Sequence, residues 1–185
     1  AYVGKNPYNG EDVYVLSPLG LYDVYIYDSE DTGNGNPRAL TTIEFRAIAK
    51  GESGANDGKN FGSGSIEAAI SELDRIIKQE REMPKNIYLI DHGGPDYGQQ
   101  FGNRKVSVAD IKALAKRMQK ESGTIYLMGC RVAKAAEYCQ KLATEGGVDI
   151  VAYHEYLSRE GVPASKAGVA RAPKRTAQLF PYKKL

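Results

Sequence analysis

The spacing of hydrophobic residues changes several times along the chain, and each change predicts an element. Val13–Leu16 and Tyr22–Asp28 ("YDVYIYD") are rich in Val, Ile and Tyr. They predict two strands separated by a Ser-Pro-Leu-Gly turn. Residues 28–39 carry turn chemistry, 41–49 read as a further strand, and "KGESGANDGKNFGSG" reads as a long Gly-rich loop. From Ser65 the period becomes helical, with Ile66, Ala69, Ile70, Leu73, Ile76 and Ile77 on one face and charges on the other as far as Glu82. Pro84 closes that helix. Ile87–Ile90 is an unbroken apolar run, as in a strand buried on both faces, and it stops at Asp91, His92, Gly93 and Gly94.

The same alternation then repeats. Ser107 is placed as an N-cap with Asp110 in the first turn, and Val108, Ile111, Leu114, Ala115 and Met118 form an apolar stripe that Gly123 ends. Thr124–Cys130 ("TIYLMGC") is the next buried strand. A third helix follows, with Val132, Ala135, Ala136, Cys139 and Leu142 inward, and Gly146 and Gly147 lead into the strand "DIVAYH". Strands alternating with helices imply an α/β fold: right-handed crossovers and a mostly parallel sheet with helices on both faces.

In such a sheet, functional groups collect beyond the carboxyl ends of the strands. Two consecutive central strands deliver His92 and Cys130 to that edge, and neighbouring strands lie roughly 5 Å apart. The two side chains can therefore share a cleft. A thiol reacts as thiolate, and Cys130 is expected at the start of a helix, beside Arg131, where negative charge is favoured. An imidazole can take the thiol proton and later return one to a leaving amine. Gly93 and Gly94 are expected to let the backbone turn sharply, so that the amides of Gly93 and Cys130 can face a developing oxyanion. Taken singly, a cysteine after a buried strand is an inert small hydrophobe and a histidine there is structural. Their joint placement favours function. His154, at the end of the following strand, is a weaker alternative partner, and Cys139 falls on an inward helical stripe as a core thiol.

Composition narrows the classes. A chain of 185 residues with 42% hydrophobic content suits one domain, 1–185, with 1–21 as an N-terminal extension and 160–185 as a basic C-terminal segment. The formal net charge of +2 comes from interspersed acids and bases, so no basic stripe for nucleic acid is expected. No membrane span and no signal peptide are visible. Two cysteines are too few for a disulfide framework. His92, Cys130, Cys139 and His154 lack the short paired spacings of a zinc site, and neither metal nor cofactor is expected.

"IYLIDHGG" and "IYLMGCRVA", with "FGNRKVSVADIKALAKRMQK" between them and "YCQKLATEGGVDIVAY" after them, resemble the caspase-like cysteine peptidases of clan CD. The likeness is greatest to the bacterial branch that includes the self-processing proteases of large toxins, and it spans about Tyr22 to Tyr156. It implies a caspase-like three-layer sandwich, with His92 as general base and acid, Cys130 as nucleophile, and the amides of Gly93 and Cys130 as oxyanion hole. A protein substrate is then expected. The Gln-Ala-Cys-Arg-Gly motif of caspases is absent apart from Cys130-Arg131, and Met128 stands where metacaspases carry an Asp. Neither aspartate nor Arg/Lys specificity is therefore implied. Asp28, ending an early strand, could line a specificity pocket or orient His92, or could be an ordinary loop aspartate.

"YVGKNPYNGEDVYVLSPLGL" resembles the junction between an Rhs-type shell and its toxin domain, with Ser17-Pro18 in place of Asp-Pro. That implies a detached toxin effector, secreted or delivered into a target cell, with an immunity protein or the parent toxin shell as partner. Two other functions stay open: a non-catalytic interaction module on the same fold, and Cys-dependent acyl transfer or deamidation.

Overall fold

The computed structural model of the chain describes residues 2–5, 12–15, 23–30, 58–119, 123–155 and 177–184. The strand expected at 41–49 and residues 160–176 of the basic segment lie outside these. At the N-terminus β1 (Tyr2–Lys5) and β2 (Asp12–Val15) form an antiparallel pair, with Tyr2 opposite Val15. Six further strands form the main sheet: β3 (Asp23–Asp28), β4 (Gly58–Ser63), β5 (Asn86–Ile90), β9 (Thr124–Leu127), β10 (Asp149–Tyr153) and β11 (Ala177–Phe180). Their order across the sheet is β11-β10-β9-β5-β3-β4. All neighbours run parallel except β10 and β11. Between β5 and β9 a small antiparallel sheet is built from β6 (Gly93–Gly94), β7 (Gly98–Phe101) and β8 (Arg104–Lys105).

The helices are α1 (Ile66–Glu80), α2 (Val108–Ala115) and α3 (Ala136–Gly146). Ser65 caps α1 by accepting from the Ala68 amide at 3.1 Å. Arg81 closes it in the left-handed region at φ 57°, three residues before Pro84. Ser107 and Asp110 form a reciprocal capping box on α2. That helix ends at Ala115, earlier than the apolar stripe suggested, yet Met118 is still buried beyond it. Gly147 ends α3 at φ 77°, where a residue without Cβ is favoured.

The connections β4-α1-β5, β5-α2-β9 and β9-α3-β10 all step across the sheet in the same direction. Right-handed crossovers then put all three helices on one face. There Ile66, Leu73, Ile111, Leu114, Cys139 and Leu142 join Val24, Ile26, Ile87, Leu89, Ile125, Leu127 and Ile150 in a single core. The alternate strand positions point the other way, as a two-residue period requires. They form a second buried cluster of Tyr25, Tyr88, Ile90, Tyr126, Met128, Val151 and Tyr153. The sheet is thus buried on both faces, as the middle layer of an α/β sandwich must be. Among the described residues the three helices pack against the first face, and the α/β sandwich with its mostly parallel central sheet is as the sequence implies.

Tyr25, Tyr88 and Tyr126 occupy the same level of β3, β5 and β9. Their rings stack at 4.6 Å and 4.2 Å between centroids, worth about 0.5–1.5 kcal/mol per pair beyond area burial. β4 falls in the stretch expected to be loop. At the sheet edge its one sheet neighbour is β3, and Phe61 on the core and the Lys59–Glu80 ion pair to α1 are its further anchors, so "GKNFGS" shows no alternating apolar pattern. Likewise β11 sits inside the basic C-terminal segment.

Candidate active site

β5 and β9 are parallel neighbours, with Asn86 opposite Thr124 and Leu89 opposite Leu127. The Met128 amide continues the ladder past β9 by donating to the Leu89 carbonyl at 2.8 Å. Carried three residues beyond the Leu89–Leu127 pair, this register sets His92 level with Cys130. Strand alternation assigns both to the tyrosine face. Cys130 packs against that cluster and is half-buried, while His92 is exposed.

What brings the two strand ends close is glycine on each side. A methyl group on Gly93 would lie 2.4 Å from Val132 Cγ2 and 3.0 Å from Gly129 Cα. One on Gly129 would lie 2.9 Å from Gly93 Cα and 2.6 Å from Gln99 Oε1. Real Cβ contacts do not close to such distances, so any side chain at either position must push the two segments apart. This corrects the reason expected for Gly93 and Gly94. Neither has a positive φ, and both lie in β6 rather than in a sharp turn. They are small because Val132, Gly129 and the Tyr97 ring press on them.

The proposed oxyanion donor at Gly93 has a geometric basis. Gly93 is opposite Gln99, and the Gln100 amide donates to the His92 carbonyl at 3.0 Å. Gly93 is therefore a non-hydrogen-bonded position of the hairpin, and its N–H points away from β7. It faces Gly129, where an added methyl would stand 3.0 Å from the Gly93 nitrogen.

The surroundings of Cys130 differ from expectation. Arg131 turns into the left-handed region at φ 59° and a single 3-10 turn, Val132–Lys134, follows. The α-helix starts only at Ala136, so no helix N-terminus stands at Cys130 to favour its thiolate. The left-handed Arg131 aims its amide at the Glu155 carbonyl, 3.1 Å away, tying the cysteine loop to the end of β10. By the β9–β10 register, Glu155 is level with Cys130 and His154 with Gly129. His154 thus reaches the same edge but on the alternate face. Asp28 ends β3, level with Asp91 by register, and its Oδ1 accepts from the Glu30 amide at 2.9 Å. That is the bond of an Asx turn. Cys139 is fully buried, its thiol donating to the Val132 carbonyl at 3.4 Å, and burial pushes its pKa up to about 12.

Residues without an assigned role in the sequence hold the histidine segment. Asp91 is buried; its Oδ1 accepts from the His92 amide at 2.6 Å and its Oδ2 from the Gly102 amide at 2.9 Å. Gln99 is fully buried and donates Nε2 to the Gln100 carbonyl at 2.9 Å. From α3, Tyr138 donates its hydroxyl to the Val106 carbonyl at 2.6 Å. Its ring packs under Gly98 (φ 79°), and burial raises its pKa. An Asp directly before the His at a strand end was a usable signal for Asp91. Nothing in "YGQQFG" distinguishes Gln99, because its partners are set by a hairpin that apolar periodicity does not reveal. Among the described residues no group of three or more His, Cys, Asp or Glu is placed to hold a metal ion, and no helix is long and apolar enough to cross a membrane.

Comparison with known families places this geometry. The DUF8616 family, described as a domain of unknown function, matches residues 66–169, more than half of the chain. The chain belongs to DUF8616. The DUF8616 match runs from α1 through β10 and so contains both His92 and Cys130, together with Asp91, Gln99 and Tyr138. No curated protein matches the chain.

Proposed function

We propose that the chain is a cysteine endopeptidase with a caspase-like site, in which Cys130 is the nucleophile and His92 the general base and acid. The observation that carries this is the in-register exit of His92 and Cys130 from adjacent parallel strands, flanking a glycine-to-glycine contact that permits close approach. His92 takes the Sγ proton as sulfur attacks the substrate carbonyl, and the C=O electron pair moves onto oxygen. The amides of Gly93 and Cys130 stabilise that oxyanion. On collapse the C–N bond breaks and His92 gives its proton to the amine, leaving a thioester. Water, deprotonated by His92, then attacks the thioester carbonyl, the C–S bond breaks, and the sulfur recovers the proton.

The Rhs-like N-terminal stretch supports a setting as a bacterial toxin effector, secreted or delivered into a target cell. An immunity protein that covers this edge would be its partner. The test is mass spectrometry of a proteome incubated with the native chain or with Cys130→Ala. New termini that depend on Cys130 and on His92 are expected. Equal cleavage by Cys130→Ala would overturn the proposal, and modified substrates without scission would assign acyl transfer instead.

A further inference from the structure

Resting on the peptidase reading, we infer that Gln99 is a positioning residue that sets the separation of His92 and Cys130. Its side chain occupies the junction of the two site segments with no exposure to solvent. Three carbonyls surround its Nε2: Gln100 at 2.9 Å, His92 at 3.4 Å and Asp91 at 3.5 Å. All three are acceptors, so the amide cannot reverse without setting oxygen against oxygen, and its orientation is decided. Oε1 is thereby directed at the cysteine segment, where an added methyl on Gly129 would stand 2.6 Å from it. There Oε1 has no hydrogen-bond donor among the described residues.

A buried acceptor left without a donor costs free energy that an apolar side chain of equal length would avoid. For packing alone, methionine would serve about as well, since the penalty it removes at Oε1 offsets the donor it withdraws from the Gln100 carbonyl. What methionine lacks is the donor pair that grips the histidine backbone and the rigid amide plane that spaces it from Gly129. Two neighbours reinforce the clasp. Gln99 stands opposite Gly93, the proposed oxyanion donor, and Tyr138, from the helix after Cys130, holds the far side of the same hairpin. Gln99 thus reaches the imidazole, the oxyanion amide and the nucleophile through backbone, without touching substrate.

The experiment compares native chain and Gln99→Met for thermal midpoint, for kcat and KM on a cleaved peptide, and for the pH dependence of Cys130 alkylation by iodoacetamide. The expected result is a midpoint within a few degrees of native, an unchanged KM, a kcat lowered about 10- to 100-fold, and an alkylation profile displaced to higher pH as the imidazole moves from the thiol. A role in packing alone would leave kcat and the profile in place whatever the midpoint. Native kcat and profile in Gln99→Met, with the native chain active, would overturn the inference while sparing the peptidase. A native chain that cleaves nothing and alkylates at Cys130 no faster than a free thiol would overturn both. Gln99→Leu, shorter by one heavy atom at its tip, repeats the comparison if the methionine variant fails to fold.

Discussion

Replacing Gly129 by Ala probes the contact on which the proposed site depends. The new methyl would stand 2.9 Å from Gly93 Cα, 3.0 Å from Gly93 N and 2.6 Å from Gln99 Oε1. Carbon atoms rest about 3.5–4.0 Å apart, so β6 and the cysteine segment must separate by about 0.6–1 Å. None of the three obstacles is the free end of a flexible chain. Two are backbone, and the third belongs to a fully buried amide whose nitrogen is already engaged. Overpacking of this kind costs about 1–3 kcal/mol, and each kcal/mol lowers the melting temperature of a chain this size by about 2–4 °C. Since a displacement near 1 Å can reduce turnover about 100-fold, Gly129→Ala should fold, melt a few degrees lower, and lose about two orders of magnitude in kcat. Gly147→Ala is the control. Unlike Gly129 it has a positive φ (77°), so a side chain there strains the backbone, but it has nothing within 4 Å and stands at the amino end of β10, away from the carboxyl ends that carry His92 and Cys130. It should cost about 1–2 kcal/mol with kcat unchanged. Differential scanning calorimetry and peptide hydrolysis on both variants decide the matter. Gly129→Ala with native melting and native turnover would refute the contact as described.

Cys139, with its thiol raised to about 12 by burial, holds a thiolate fraction of roughly 1 in 100,000 at pH 7. Brief alkylation followed by peptide mapping should label Cys130 and leave Cys139 unmodified. Burial by itself would raise the Asp110 pKa, but Arg104 and the Ser107 cap overcome it and hold the carboxyl below its usual value. Stability from this group is present above pH ~4 and lost as pH falls through the lowered value. Asp110→Asn should therefore lower stability at neutral pH and flatten the acid limb of a denaturation profile. Tyr138→Phe removes the donor to the Val106 carbonyl and should cost about 1–3 kcal/mol, measured by urea unfolding.

The parts of the fold legible in the sequence are those set by local pattern. α1 follows from Ile66, Ala69, Leu73 and Ile76, whose period begins after Ser65; β5 follows from an apolar run too short for a helix. The order of β5, α2, β9 and α3 then brings His92 and Cys130 to one edge without further information. What stayed hidden depends on partners far along the chain. β4 pairs by backbone with β3, and Gln99 acts on residues that only the hairpin makes its neighbours. The short turn before α3 is not legible because Val132 is buried there much as a helical residue would be, while the left-handed Arg131 leaves no mark on hydrophobic spacing.

The tyrosine stack has a further use, as an optical reporter. The chain lacks tryptophan and has 13 tyrosines, so its near-ultraviolet signal comes from phenol rings. Two adjacent pairs in β3, β5 and β9 lie nearly face to face, close enough for their transitions to couple. Burial raises the pKa of Tyr88, Tyr126 and Tyr153 above the ordinary phenol value. Their folded-state pKa exceeds the unfolded one, so they favour the native state fully below pH ~10 and progressively less as alkali rises. Phenolate absorbance should therefore emerge in two stages, exposed rings first and the stacked ones together with loss of circular dichroism. The sheet that presents His92 and Cys130 would then announce its own dissolution without a label.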